Sequence, residues 1–199
     1  MGKRSKSAES AVSAVSAESA VSAEPLFRSP ITKLAATPAG APVIADESQL
    51  TKVSVRAQVA ASLFGVDFAR AVRRDDVLIA GIRCDEWLLL GSVNDVAKIV
   101  AEVPPDPSVN CIGITHSRLC LRLSGERSAS VLEKVCSLDF HDLMFPNGAV
   151  GSASVARVSA DLIRDDIAAE PSYLLLADRS FGQYFYDALV DACQEFADS

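Results

Sequence analysis

The chain uses one phrase twice. Trp87-Leu88-Leu89-Leu90 and Tyr173-Leu174-Leu175-Leu176 each set an aromatic residue before three leucines. A strand with one face in water alternates apolar and polar side chains. A run with no polar position fits a strand covered on both faces. After a short polar break, each run is followed by a helix pattern. In the first, Ser92 stands three residues before Asp95, an N-terminal capping arrangement, and Val96, Ile99, Val100 and Val103 form one apolar face, so a helix is predicted over about 94–103. In the second, Ser180 stands three residues before Gln183, and Phe181, Tyr184, Phe185, Ala188, Leu189, Ala192, Cys193 and Phe196 recur at helical spacing. The repetition predicts an α+β fold of two related halves around one core, each running strand, helix, strands, helix.

The rest of the chain fills in that frame. Val53, Val55, Ala57 and Val59 alternate as a strand, and Phe64, Phe68, Ala71 and Val72 have the spacing of a short helix broken near Gly65. Val77–Ile82 reads as a strand that turns near residues 83–86 into the first Leu run. Pro104-Pro105-Asp106-Pro107 excludes helix and forms an extended spacer. Beyond it, near Val109, the second half is expected to begin. Leu119, Leu121 and Leu123 mark a strand, Val131, Leu132, Val135 and Cys136 a helical stripe, Phe145-Pro146-Asn147-Gly148 a turn, and Ala156, Val158, Ala160 and Leu162 another strand. Residues 1–24 repeat Ser, Ala, Val and Glu, whose small side chains bury too little area to offset the entropy of ordering, so a disordered tail is expected, with a short helix formed on docking as the alternative. The expected organisation is therefore a tail over 1–24, an extended arm and loop over 25–51, and a duplicated α+β domain over 52–199, with halves at about 52–103 and 109–196.

Composition narrows the function classes. A formal net charge of −7 argues against the basic face that nucleic acid requires. No apolar stretch has transmembrane or signal-peptide length, so a cytoplasmic protein without membrane contact is expected. Five cysteines occur without a C-x-x-C pair; Cys120, Cys136 and Cys193 lie in apolar patterns and read as reduced, buried thiols.

No group of residues names a reaction. His116 and His141 lack the partners a metal site needs. Cys136 and His141 could be drawn as nucleophile and base, but Cys136 occupies an apolar stripe. The adjacent carboxylates Asp75-Asp76, Asp85-Glu86 and Asp165-Asp166 fall at turns, where neighbours point apart into water. Gly148-Ala149-Val150-Gly151-Ser152 matches neither a nucleophile elbow nor a phosphate loop, and no dinucleotide fingerprint is present. No catalytic, cofactor-binding or metal residue is predicted.

One ordered set of motifs resembles a known family. Thr115 through Leu123-Ser124-Gly125 leads through Val131-Leu132 and Cys136-Ser137-Leu138-Asp139 to Phe145-Pro146-Asn147-Gly148, with Arg28-Ser29-Pro30 before it and Asp85-Glu86-Trp87-Leu88-Leu89 in the middle. This set resembles the gamma subunit of heterotetrameric sarcosine oxidase over about residues 26–196. The resemblance implies a fold similar to the folate-binding domain of aminomethyltransferases and of a tRNA-modifying GTPase, itself a duplication of α+β subdomains. It implies a complex that oxidises sarcosine to glycine, forms hydrogen peroxide and captures the methyl carbon as 5,10-methylenetetrahydrofolate. FAD, FMN, NAD and tetrahydrofolate would lie in other subunits, alpha, beta and delta chains would be partners, and this chain would serve assembly and stability.

Two other readings stay open. A stand-alone folate-binding module would need a pocket for the pterin edge, for which Arg118, Arg122 and Asp161 are available. The equivalent subunit of an N-methylglutamate dehydrogenase complex is the other. For partner docking, the sequence points to the arm residues Leu26, Phe27, Arg28, Pro30 and Ile31, because an extended apolar segment suits a groove; packing on the chain's own domain is the alternative.

Overall fold

The computed structural model describes residues 26–58 and 63–196. The expected tail over 1–24 and the strand residue Val59 lie outside the described residues. Ten strands and three α-helices follow in chain order: β1 (Val43–Asp46), β2 (Thr51–Ala57), β3 (Ala71–Arg74), β4 (Val77–Arg83), β5 (Glu86–Gly91), α1 (Val93–Ala101), β6 (Val109–Gly113), β7 (Arg118–Ser124), α2 (Ser128–Val135), β8 (Val150–Val155), β9 (Val158–Arg164), β10 (Ser172–Asp178) and α3 (Gly182–Cys193).

The strands form two five-stranded antiparallel sheets, ordered β3-β4-β5-β2-β6 and β8-β9-β10-β7-β1. The two orders correspond strand for strand, so the duplication read from the sequence is present. The repeated phrases are β5 and β10, at equivalent central positions. Their register explains the absence of polar positions. Trp87 and Leu89 face α1 in one cluster, whereas Leu88 and Leu90 face the other sheet. Tyr173 and Leu175 face α2 and α3, whereas Leu174 and Leu176 face the first sheet. The result is four layers, helix on sheet on sheet on helices. Leu78, Ala80, Ile82, Leu88 and Leu90 meet Cys120, Val150, Ile163, Leu174 and Leu176 at the centre.

The helices form where capping and spacing predict. Ser92 Oγ accepts the Asp95 N–H at 3.2 Å, and Val96, Ile99 and Val100 of α1 are buried. Lys98 lies one turn from Asp95 and bonds its carboxylate at 2.7 Å. The second capping arrangement differs. Asp178, not Ser180, caps a single 3-10 turn at Arg179–Phe181 by accepting the Ser180 N–H at 2.8 Å, and α3 starts only at Gly182. Gln183 is thereby free to bind the N-terminal arm.

Three expectations are corrected. The helix over Phe64–Val72 is absent: Phe64 stacks edge-on against Trp87 at 6.3 Å, Gly65 takes φ 68°, and Ala71–Val72 belong to β3. The helical spacing there was coincidental, because Phe64 and Phe68 serve different surfaces, one on the core and the other 62% exposed. The strand expected from Ala156 starts at Val158, because Ala156 (φ 47°) and Arg157 (φ 67°) make the left-handed hairpin turn between β8 and β9. Finally, Val109 does not open the second half. β6 pairs with β2 in the first sheet, and β1, from the arm region, occupies the equivalent place beside β7. Among the described residues, the position beside β7 that corresponds to β6 is filled by β1, which precedes both halves in the chain.

The edges of the sheets are treated differently. The β3 and β8 edges close on each other: Ala71 N–H donates to Gly148 O at 2.7 Å and Val150 N–H to Ala69 O at 3.1 Å. Gly81 is required at this seam, since a Cβ there would lie 2.3 Å from the Asp67 carbonyl oxygen. β1 follows Pro42 and ends in Asp46, whose carboxylate accepts bonds from the Ser29 hydroxyl and the Ser48 N–H. Among the described residues β6 has no such cover.

Burial on both faces makes a specific prediction. Leu88→Ala and Leu89→Ala point to opposite sides of β5, and each is expected to cost about 2–5 kcal/mol in chemical denaturation. A cost below about 1 kcal/mol for Leu88→Ala, with Leu89→Ala fully destabilising, would contradict a packed layer between the sheets.

Candidate functional site

Polar side chains in this molecule gather where the apolar layer ends. β7 alternates Leu119, Leu121 and Leu123, facing the helices, with Arg118, Cys120 and Arg122, facing the first sheet. A guanidinium in such a layer must be paired to stay there. Arg122 Nε donates to Glu47 Oε1 at 2.6 Å, Nη1 to the Ser172 hydroxyl at 2.8 Å and Nη2 to Asp165 Oδ2 at 3.1 Å. Arg73 of β3 reaches the same Asp165 oxygen from the other sheet. Arg164, equally buried, donates to Asp142 Oδ1 at 2.6 Å, to the Phe145 carbonyl at 2.8 Å and to Asp166 Oδ1 at 3.0 Å, and its guanidinium stands 5.7 Å over the Tyr173 ring. Arg118 pairs with Asp161, whose other oxygen accepts the Ser152 hydroxyl at 2.6 Å. The three residues considered for a pterin edge are therefore split. Arg118 and Asp161 neutralise each other, and Arg122 is committed to Glu47, Ser172 and Asp165.

Asp75 and Asp76 are exposed at a turn, as expected, but the other two carboxylate doublets are not fully solvated. Glu86 and Asp165 are only 6% and 8% exposed. The doublets do fall beside turns, but Glu86 opens β5 and Asp165 directly follows β9, where arginines of other strands meet them. Glu86 Oε1 accepts the Ser54 hydroxyl at 2.7 Å, and Oε2 accepts Arg56 at 2.8 Å and Arg83 at 3.1 Å. Burial disfavours the ionised form, but the bonds from Arg56 and Ser54, with the nearby charges of Arg56 and Arg83, outweigh it and hold the Glu86 carboxyl below its ordinary value.

The thiols and histidines also have settled surroundings. Cys120, Cys136 and Cys193 are free and buried, as read from the sequence. Burial pushes the Cys120 thiol up to about 12 and the Cys193 thiol to about 11, far from a nucleophilic thiolate. Cys136 belongs to the apolar core, whereas the His141 ring is exposed and its Nδ1 accepts the Leu143 N–H at 3.3 Å. The His116 ring lies 5.6 Å from that of Phe27. Among the described residues no cluster of three metal-ligating side chains occurs. Gly148–Ser152 leads into and begins β8, and Gly151 and Ser152 line a largely apolar cavity of about 480 Å³ with Phe68, Ile82, Arg83, Cys84, Asp85 and Val150.

The arm is where the sequence placed partner contacts, and it lies on its own chain. Pro30 sits against Gly182 so closely that a Cβ there would come 2.6 Å from the Pro30 Cβ. Ile31 is buried in the larger core. Gln183 Oε1 accepts the Thr32 and Lys33 N–H groups at 2.9 Å each, its Nε2 donates to the Lys33 carbonyl at 3.0 Å, and the Tyr186 hydroxyl donates to the Ala35 carbonyl at 2.6 Å. Arg179 bonds the Arg28 carbonyl and stacks 5.5 Å over the Phe27 ring. Leu26, 88% exposed, and the Arg28 side chain remain outward. No local signal in the sequence marked Gln183 and Tyr186 as the anchors, because both sit at ordinary helical positions about 150 residues away.

Two measurements test these arrangements. Glu86 has a folded-state value below its ordinary 4.5, so its contribution is present above that value and is lost as pH falls through the folded value. Glu86→Gln therefore lowers Tm at pH 7, and the gap from wild type narrows toward pH 3; a constant gap would contradict the pairing. Gly182→Ala drives a methyl into Pro30, so limited proteolysis within residues 26–42 accelerates while α3 stays folded. Unchanged cleavage would mean the strap is not seated there.

Comparison with known proteins identifies the family. A curated relative, the sarcosine oxidase subunit gamma of Corynebacterium sp. (strain P-1), is 29% identical over 115 residues. That alignment spans 57% of this chain and 55% of the relative, so it covers little more than half of that protein. A chain of the heterotetrameric sarcosine oxidase from Corynebacterium sp. U-96, solved in complex with pyrrole 2-carboxylate, superposes with a TM-score of 0.69 at 22% identity, over 88% of this chain and 98% of that one. The glycine cleavage system aminomethyltransferase T from Bartonella henselae superposes with a TM-score of 0.57 at 11% identity, over 81% of this chain and 48% of that one. At these identities the two structures speak for the fold, which is the duplicated α+β arrangement expected. The sarcosine oxidase, gamma subunit family matches residues 72–195, well over half of the chain, and the chain belongs to that family.

Proposed function

We propose that this chain is the gamma subunit of a heterotetrameric sarcosine oxidase, working with alpha, beta and delta subunits in the cytoplasm. The complex oxidises sarcosine to glycine, forms hydrogen peroxide and passes the methyl carbon to tetrahydrofolate as 5,10-methylenetetrahydrofolate. FAD, FMN, NAD and tetrahydrofolate are held by the other subunits. This chain contributes assembly and stability rather than reacting groups. The observation that carries the reading is the family match over residues 72–195.

The chemistry of the interior supports a structural role. Its buried arginines and carboxylates pair, in the Arg122, Arg164, Glu86 and Asp161 ion pairs, and the buried Lys52 ammonium donates to the Ser48 and Leu50 carbonyls at 2.7 Å each. A catalytic acid or base needs a proton it can exchange near working pH, and a carboxylate locked between guanidiniums does not offer one. Large apolar side chains on the surface, including Leu143 at 85% and Met144 at 67% exposure, are what a subunit that meets partners carries. Within the arm, Leu26 and Arg28 present outward side chains, while Phe27, Pro30 and Ile31 fix the backbone that carries them. The two sheet-based halves, with β1 lent to the second, act as one rigid body for docking.

Co-expression with flavoprotein subunits tests the reading. The expected result is a stoichiometric complex that contains this chain and forms hydrogen peroxide from sarcosine, with much weaker turnover of N-methylglutamate. Sarcosine oxidation by the purified single chain, micromolar binding of tetrahydrofolate to it alone, or a chain that copurifies with no flavoprotein would each overturn it.

A further inference from the structure

The four sheet edges are not equivalent. Two close on each other through Ala69, Ala71, Gly148 and Val150. The third, β1, is blunted by Pro42, Asp46 and Ser29. The fourth, β6, occupies the position in the first sheet that β1 occupies in the second, yet Val109-Asn110-Cys111-Ile112-Gly113 contains no charge, no proline and no bulge. Folded proteins avoid leaving such an edge bare, because it presents unpaired donors and acceptors to any extended chain.

The register says which groups are available. Ile114 N–H donates to the Lys52 carbonyl at 2.8 Å, and Gly113 stands opposite Val53 and Cys111 opposite Val55. In an antiparallel ladder the residues between bonded pairs turn their N–H and C=O outward. The outward groups are those of Cys111 and Gly113, and neither N–H has a hydrogen-bond acceptor among the described residues. Beside them the Ile112 side chain is 48% exposed.

Resting on the subunit reading above, we propose that β6 is the edge through which this chain joins a partner subunit, which adds an extended strand free of acidic residues. The occupant follows from the chemistry. Only an extended backbone satisfies the Cys111 and Gly113 groups together. The net charge of −7 opposes a second copy of this chain and favours a neutral or basic segment.

The test reads amide hydrogen exchange at single residues, on the chain alone at two concentrations and on the purified oxidase complex. Cys111 and Gly113 exchange fast in the free chain, while Asn110 and Ile112, bonded to β2, exchange slowly. In the complex Cys111 and Gly113 slow by about 100-fold or more. Fast exchange at both in an intact complex overturns the docking edge and leaves the subunit reading standing. Slow exchange in the dilute free chain, which would place the chain's own N-terminal segment on the edge, also overturns it, as does slowing only on concentration, the mark of a second copy. Two variants add a second readout. Cys111→Pro removes an N–H that β2 does not use, and Ile112→Lys sets a charge beside the seam. Each weakens assembly by about tenfold, with Tm of the free chain within a few degrees of wild type for Ile112→Lys. Wild-type assembly by Ile112→Lys overturns the proposal, whether or not Cys111→Pro folds. A wild-type chain that forms no complex overturns both readings.

Discussion

The apolar layer between the two sheets governs the rest of this structure. Leu78, Ala80, Ile82, Leu88 and Leu90 on one side and Cys120, Val150, Ile163, Leu174 and Leu176 on the other are removed from water by each other, not by helices. Their strands must then present a second apolar face to α1, or to α2 and α3. A central strand in such a stack has no polar position to spare, which is why β5 and β10 read as aromatic-Leu-Leu-Leu. The few polar residues that enter the layer do so at its margins and as pairs. Arg122 with Asp165, Arg118 with Asp161 and Glu86 with Arg56 each satisfy a charge that burial would otherwise expel. Arg73 with Asp165 carries this logic from one sheet to the other.

Duplication has a further consequence at the ends of the chain. In the first half the segment after α1 returns as β6 beside β2. In the second half no strand follows α3 among the described residues, and β7 without a neighbour on that side would be an edge strand. β1 takes that side, and the strap before β1 is held over α3 by Gln183, Tyr186 and Arg179. The start of the described chain thus belongs physically to the end of the fold. The arm looked, as sequence, like an extended apolar segment without a home; its home is the place beside β7 that β6 takes beside β2, and the helix next to it.

What the sequence revealed follows the range of the forces involved. The double-faced strands, the Ser92 cap, the proline spacer and the α2 stripe are local patterns with one physical solution, and they were legible. The β8–β9 turn was not, because Ala156 and Arg157 adopt left-handed backbone without the glycine or asparagine that usually signals it. The false helix over Phe64–Val72 arose because apolar residues serving a core and a surface can fall at helical spacing. Strand exchange between the halves was invisible, since pairing of β1 with β7 is a contact across some 78 residues. The buried carboxylates escaped for a related reason. Asp165 and Glu86 owe their burial to pairing with arginines on other strands, which a doublet of acids at a turn does not announce.

The two sheets of this molecule pack through one shared apolar layer. They cannot move apart without exposing that layer, so both halves form one cooperative unit. Native-state hydrogen exchange of the free chain at increasing denaturant tests this most directly. Slowly exchanging amides in β4, β5, β9 and β10 are predicted to converge on one opening free energy, equal to that of global unfolding. Opening of the first sheet several kcal/mol below the second, with the second still closed, would contradict a core shared by both.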